Sequence, residues 1–253
     1  VHIFAASDRF STTRWSVVLA CAESQSSSVA ARDALSELCR TYWRPIFAYV
    51  CRRGYSVEDA EDLTQDFFAT LLQGQLLERA DPNRGRFRCL ILKALQDFLG
   101  HAAEKRDARK RGGDVQFVSW DDWIAETPSH LAISADAINS WSAEQLFDLR
   151  WAATVVELAL RRLRVECESK GRVRLFDALS PHLTSERTDT SYADLARRLD
   201  TNESAIKWQL HNLRQRYRWL LRDELAQTVA DPRDVRDEIR HLCATLAAGA
   251  AQG

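Results

Sequence analysis

Between Ser204 and Arg222 the chain carries Lys207, Arg214, Arg216, Arg218 and Arg222 and not one Asp or Glu. A run of cations with no anion among them suits an anionic polymer. Asn202, Glu203, Ser204, Lys207, Trp208 and His211 stand at or near its start, where side chains can reach base edges, while Arg214, Gln215 and Arg218 lie farther along, within reach of phosphates. A second set has the opposite sign. Glu58, Glu61, Asp62, Gln65 and Asp66 are spaced to share one helical face, which taken alone reads as a solvated acidic face. A third set is basic again: Lys93, Gln96, His101, Lys105, Arg106, Arg109, Lys110 and Arg111. Two basic sets separated by an acidic stretch suggest two DNA-touching modules.

The elements that must hold these sets are helices. Ser191 can cap a short helix, with Asp194 three residues on in a capping-box-like spacing, and with Tyr192, Leu195, Ala196 and Leu199 as its apolar side. Asp200 stands where a tight turn wants positive φ, and Thr201 or Asn202 can cap the next helix. That helix places Ile206, Leu210, Leu213, Tyr217, Leu220 and Leu221 on one side. A short helix, a turn and a long basic helix make a helix-turn-helix DNA reader. An ordinary hairpin with a solvated basic face is the competing reading of this stretch.

Upstream, Gly54 ends one helix and Ser56 caps the next, whose buried stripe is Ala60, Leu63, Phe67 and Leu71. Acids crowd its first turn, where the helix dipole favours them. Asp81-Pro82-Asn83-Arg84-Gly85-Arg86 is a turn, and the following helix turns Phe87, Leu90, Ile91, Ala94, Leu95 and Phe98 to one side. Phe98 is expected in the core.

The whole chain has 253 residues and a net charge of −1, so bulk charge does not announce nucleic acid. Its distribution does. Residues 84–112 form a basic block, residues 113–149 hold no Lys or Arg, and the basic helix follows. Scarce Gly and Pro with recurring heptad-like spacing predict an all-α protein of two helical domains. The divisions read as an N-terminal extension (1–30) with a short helix capped by Thr12 or Thr13, a first domain (31–112), an acidic linker (113–147), a helix-turn-helix domain (148–226) and a C-terminal helical extension (227–253). Val235, Ile239, Leu242 and Leu246 form a narrow stripe on that last segment, which is expected to pack on the helix-turn-helix domain or to bind a regulator.

Cys21, Cys39, Cys51, Cys89, Cys167 and Cys243 form no CxxC pair and read as free thiols of a reducing cytoplasm. The apolar run before Cys21 is too short for a secretory core, and no run is long enough to span a membrane. His241 and Cys243 lack the second pair that zinc needs. No cofactor, metal or catalytic residue is expected.

Glu61-Asp62-Leu63-Thr64-Gln65-Asp66-Phe67-Phe68, the segment from Phe87 to Gly113, and the 191–222 hairpin resemble, in this order, the three hallmark segments of bacterial sigma factors. The family is the extracytoplasmic-function type within the sigma-70 superfamily, and the resemblance spans roughly residues 35–226. Thr13-Arg14-Trp15-Ser16 and the tail after Asp231 fit a subgroup with extensions. The resemblance implies that the acidic helix docks on the β′ clamp coiled coil of core RNA polymerase and that the second domain meets the β flap. It further implies that the 84–112 block melts and reads the −10 element, that the hairpin reads the −35 element, and that an anti-sigma factor is a possible partner. Trp208 and Asn212 depart from the family's pattern; Asn212 stands where an Arg is common, which removes one expected phosphate contact.

Two rivals belong to other classes. A stand-alone helix-turn-helix regulator would need neither the acidic helix nor the 84–112 block. A nucleic-acid enzyme would need converging carboxylates, and Asp121-Asp122 is the one tempting pair, lying in the linker.

Overall fold

The computed structural model describes residues 29–72, 86–107, 140–183, 191–229 and 231–250, and among them every regular element is helical. The helices are α1 (Val29–Arg52), α2 (Val57–Leu72), α3 (Phe87–Asp107), α4 (Ala143–Ser169), α5 (Val173–Leu179), α6 (Tyr192–Arg198), α7 (Glu203–Ala226) and α8 (Val235–Ala250). The expected all-α class holds for these residues. The N-terminal helix expected near Trp15 and most of the acidic linker lie outside them.

Local chemistry sets the boundaries. Gly54 takes φ 87°, the left-handed conformation that costs glycine least, and turns the chain out of α1. Ser56 Oγ then accepts the Asp59 amide at 3.2 Å and caps α2. Ser142 and Gln145 close a reciprocal capping box at the start of α4. Asp200 adopts φ 51°, as the turn between α6 and α7 requires, and Asn202 Oδ1 accepts the Ala205 amide at 2.8 Å to start α7. Ser191 caps α6 through the Ala193 amide; Asp194 leaves the capping box open and pairs with Arg197 instead.

Two large clusters of buried side chains organise the described residues, beside a small one of Trp141, Leu146 and Leu149. The first joins α1, α2, α3 and the early turns of α4 around Tyr42, Ile46, Phe67, Phe87, Leu95, Phe147 and Trp151. Aromatic rings lock it: Trp43 stacks on Phe68 at 5.8 Å, and Phe98 meets the edge of Phe67 at 5.6 Å. Each such pair adds about 0.5–1.5 kcal/mol beyond its buried area. The second cluster joins the later turns of α4 to α5, α6 and α7 around Leu163, Phe176, Leu179, Leu195, Ile206, Leu210 and Leu220.

The 27 residues of α4 therefore serve both clusters, and at about 1.5 Å per residue this spine is roughly 40 Å long. The sequence-based boundary between 147 and 148 falls inside it. Residues 143–147 belong to the spine rather than to a connector, because Leu146 and Phe147 are fully buried there.

The C-terminal helix packs on α4 and the end of α7, within the 148–226 segment, and reaches beyond it. Its stripe packs mainly in the first cluster, where Val235 and Leu242 join Leu225 and Val229, with Ile239 and Leu246 partly buried against them. The tail thus bridges α7 and α4 to the start of α3.

Candidate polymerase and DNA interfaces

Helix α2 presents one carboxylate face. Ala60, Thr64, Phe67 and Leu71 are buried, Leu63 is half-buried, and these fix the helix in rotation. Glu58, Glu61, Asp62, Gln65 and Asp66 all point to solvent. Among the described residues no cation forms an ion pair with the four acids, so their field is available to an incoming basic surface.

Helix α3 buries Phe87, Ile91, Ala94, Leu95 and Leu99, with Phe98 half-buried as expected. Lys93 is exposed and sits 2.8 Å from Asp97 one turn on, and His101 is exposed. Gln96 departs from the expectation of a DNA-facing group. It is half-buried and donates to Glu144 Oε1 at 3.4 Å, the oxygen that also accepts the Tyr49 hydroxyl at 3.2 Å. The hydrogen bond from its own backbone amide, helped by those from Ser142, Tyr49 and Gln96, holds the Glu144 carboxyl below the usual carboxylate range. The last turns of α3 carry Lys105 and Arg106, whose side chains lie outside the described residues, as do Arg109, Lys110 and Arg111 altogether.

The start of α3 holds the largest departure from the sequence reading. Arg86 and Arg88 counted there as part of the basic block. Arg88 is instead buried, with Nε donating to Glu238 Oε1 at 3.0 Å and Nη1 donating to Asp148 Oδ1 at 2.9 Å. Its guanidinium lies 5.2 Å from the Trp151 ring centroid. Arg86 Nε approaches Glu238 Oε2 at 3.1 Å, and His241 Nε2 stands 3.2 Å from Asp148 Oδ2. Burial opposes the charged form of Arg88, but the carboxylates of Glu238 and Asp148 outweigh it and push the group up.

Helix α7 carries the candidate DNA-reading face. Ile206, Leu210, Leu213, Tyr217 and Leu220 are buried and Leu221 half-buried, as the spacing predicts. Glu203, Ser204, Lys207, Trp208, His211, Gln215 and Arg218 are exposed. Asn202 is exposed too, but its side chain is taken up as the helix cap. Lys207 Nζ lies 3.9 Å from Glu203 Oε2 and 5.4 Å from the Tyr192 ring, which steers it along the first turns of the helix.

Two of the five α7 cations are engaged by other parts of the protein. Arg214 is half-buried and donates twice, at 2.8 and 3.2 Å, to the carbonyl of His182 in the 3-10 turn after α5. It closes the end of that turn, which removes it from the expected phosphate set. Arg216 grips Glu166 on the spine with two donors at 2.6 and 2.8 Å, and its guanidinium lies 4.2 Å from the Trp219 ring. That pairing lowers the Glu166 pKa and raises that of Arg216. Trp208 is 65% exposed and borders an open cavity of about 220 Å³ shared with Leu163, Cys167, Leu175 and Gln209.

Among the described residues no group of three or more His, Cys, Asp or Glu is placed to hold a metal ion, and no helix is long and apolar enough to cross a membrane. The described cysteines are free, and burial raises the Cys51 thiol to about 12, which makes it a poor nucleophile. No protein-family model, curated protein or solved structure matches the chain.

Proposed function

We propose that the chain is a promoter-directing subunit of bacterial RNA polymerase, a sigma factor of the extracytoplasmic-function type. It binds core polymerase through Glu58, Glu61, Asp62, Gln65 and Asp66. It captures the melted −10 strand with the distal half of α3 and the residues after it, and it reads a −35 duplex with the first turns of α7. It performs no chemistry of its own.

One observation carries the reading: a solvated carboxylate face on α2 and a capped helix α7 with no acid between Ser204 and Arg222 belong to the same helical body. A regulator that acts on duplex DNA alone has no use for the acidic face, which repels DNA. A partner with a basic docking surface does, and Phe98 against Phe67 places that face beside the basic helix that would follow the melted strand. The surviving exposed set on α7 is Glu203, Ser204, Lys207, Trp208, His211, Gln215 and Arg218. Its N-terminal members suit a major groove and Arg218 a flanking phosphate.

The test is reconstituted transcription with core polymerase on a randomised promoter library. Transcripts should start at defined sites downstream of two enriched motifs. A chain that enriches duplex sequences by itself, yet never redirects core polymerase, is a stand-alone regulator.

A further inference from the structure

The ion cluster at the start of α3 joins parts of the chain far apart in sequence. Glu238 belongs to α8, Asp148 to the spine, and Arg86 and Arg88 to the basic helix. Glu238 is fully buried, yet its Oε2 makes no hydrogen bond to protein, because Arg86 Nε lies close without the alignment a hydrogen bond needs. A buried ion pair with one imperfectly satisfied oxygen fixes a position better than it stabilises it. Around it the Phe87 amide donates to the Thr228 carbonyl at 3.3 Å, and Val229, Val235 and Leu242 close over Tyr42, Phe87 and Trp151. The end of the reading helix α7, the tail helix α8 and the beginning of α3 are thereby tied into one knot on the spine.

This arrangement conflicts with the work both DNA-facing helices would do under the proposed function, on which the inference rests. Elements named by positions −10 and −35 lie about 25 base pairs apart, roughly 80 Å of duplex at about 34–36 Å per helical turn. The two clusters share a spine of roughly 40 Å. The spine that carries both clusters covers about half of that distance.

We infer that α8 is an intramolecular clamp: Glu238, holding Arg86 and Arg88, keeps a closed resting form that must part before both DNA elements are engaged together. Release exchanges the Glu238–arginine contacts for water and unties α8 and the end of α7 from the start of α3, leaving the spine as the remaining link. Core polymerase drives it by binding the opened form more tightly than the closed one. The tail is then a restraint on promoter opening rather than part of the DNA-reading surface.

Hydrogen exchange on the full chain tests this in two arms. In the free protein, Glu238→Gln keeps the shape and removes the charge. Amides of 235–250 should exchange at least tenfold faster while those of 42–51 stay protected. His241→Ala, at the half-buried rim of the same cluster, should loosen 235–250 in the same direction and guards against a folding defect in the first variant. Unchanged protection of 235–250 in both variants overturns the clamp, whatever the chain binds. In the second arm, wild-type protein is measured alone and in a purified complex with core polymerase. Loss of protection at 235–250 in the complex supports release; full retention overturns it. Failure to form any complex sinks the functional reading and the release step with it, while the first arm still judges the clamp.

Discussion

Helices α3 and α7 are both rich in basic residues, and they dispose of their arginines in different ways. At the start of α3, Arg88 is taken wholly inside and neutralised by two carboxylates from α4 and α8. On α7, Arg214 and Arg216 are held at the surface by a carbonyl and by Glu166, and Lys207, His211, Gln215 and Arg218 face solvent. The difference is one of dielectric. A buried guanidinium without its partners is strongly penalised, so Arg88 acts as a fixed strut. An exposed one is already solvated and serves a partner that arrives later. Basic composition therefore marks two different arrangements, cations locked inside the body and cations left facing solvent, the latter being the set proposed to meet DNA.

Substitutions break this contrast at its ends. Arg88→Ala should be the most damaging single change, because it strands Glu238 and Asp148 beneath Trp151. A loss of about 3–5 kcal/mol is expected, read as a lower urea midpoint with unchanged slope. An effect within about 0.5 kcal/mol, as for an ordinary surface change, would put Arg88 in the same class as the α7 cations.

On α7 the expected effects move from stability to recognition. Lys207→Ala should leave folding intact, cost about 1–3 kcal/mol of binding to the preferred −35 sequence and relax preference at one or two positions. Selection of −35 sequences at fixed salt measures it. An unchanged sequence profile and affinity would show that the first turns of α7 do not enter the groove. Asn202→Ala should cost about 1 kcal/mol of thermal stability through the lost cap, with DNA binding falling only as far as the helix start frays.

The smallest effects sharpen the surface end of the comparison. Arg216→Ala should cost well under about 1 kcal/mol, since the Glu166 pair is partly exposed and screened by salt. Because Glu166 titrates below its usual range when folded, the pair's contribution is present above the unfolded carboxylate pKa. It disappears as acid carries the pH down through the lowered one. The Arg216→Ala deficit should therefore shrink in acid. Arg218→Ala should leave stability alone, weaken all DNA sequences alike and reduce the salt dependence by about one counterion.

Much of this was legible in sequence. The stripes of α2 and α7 follow helical periodicity over several turns, and the turn at Asp200 and the cap at Asn202 carry their own local chemistry. The clamp was not, because Arg88 and Glu238 are 150 positions apart. A signal for it did exist: Arg88 stands three residues before Ile91, so it shares the buried side of α3, and Glu238 sits three after Val235 on the stripe of α8. A charge on an apolar stripe at both ends of a chain is a pair waiting to be matched. Arg214 gave no such sign, since its acceptor is the backbone carbonyl of His182, which any residue type provides. Gln96 was misread because its partners, Glu144 and Tyr49, come from two other helices.

The central claim is that the carboxylate face of α2 is a polymerase-docking surface, and the most direct measurement is the affinity of core RNA polymerase for the wild-type chain and for Glu61→Lys with Asp62→Lys. Both residues are exposed, so the variant should unfold at the wild-type urea midpoint within about 0.5 kcal/mol. The account predicts a stable complex for the wild type and loss of at least a hundredfold in affinity for the charge-reversed protein. Equal binding of the two proteins to core polymerase, or no binding by the wild type, contradicts it.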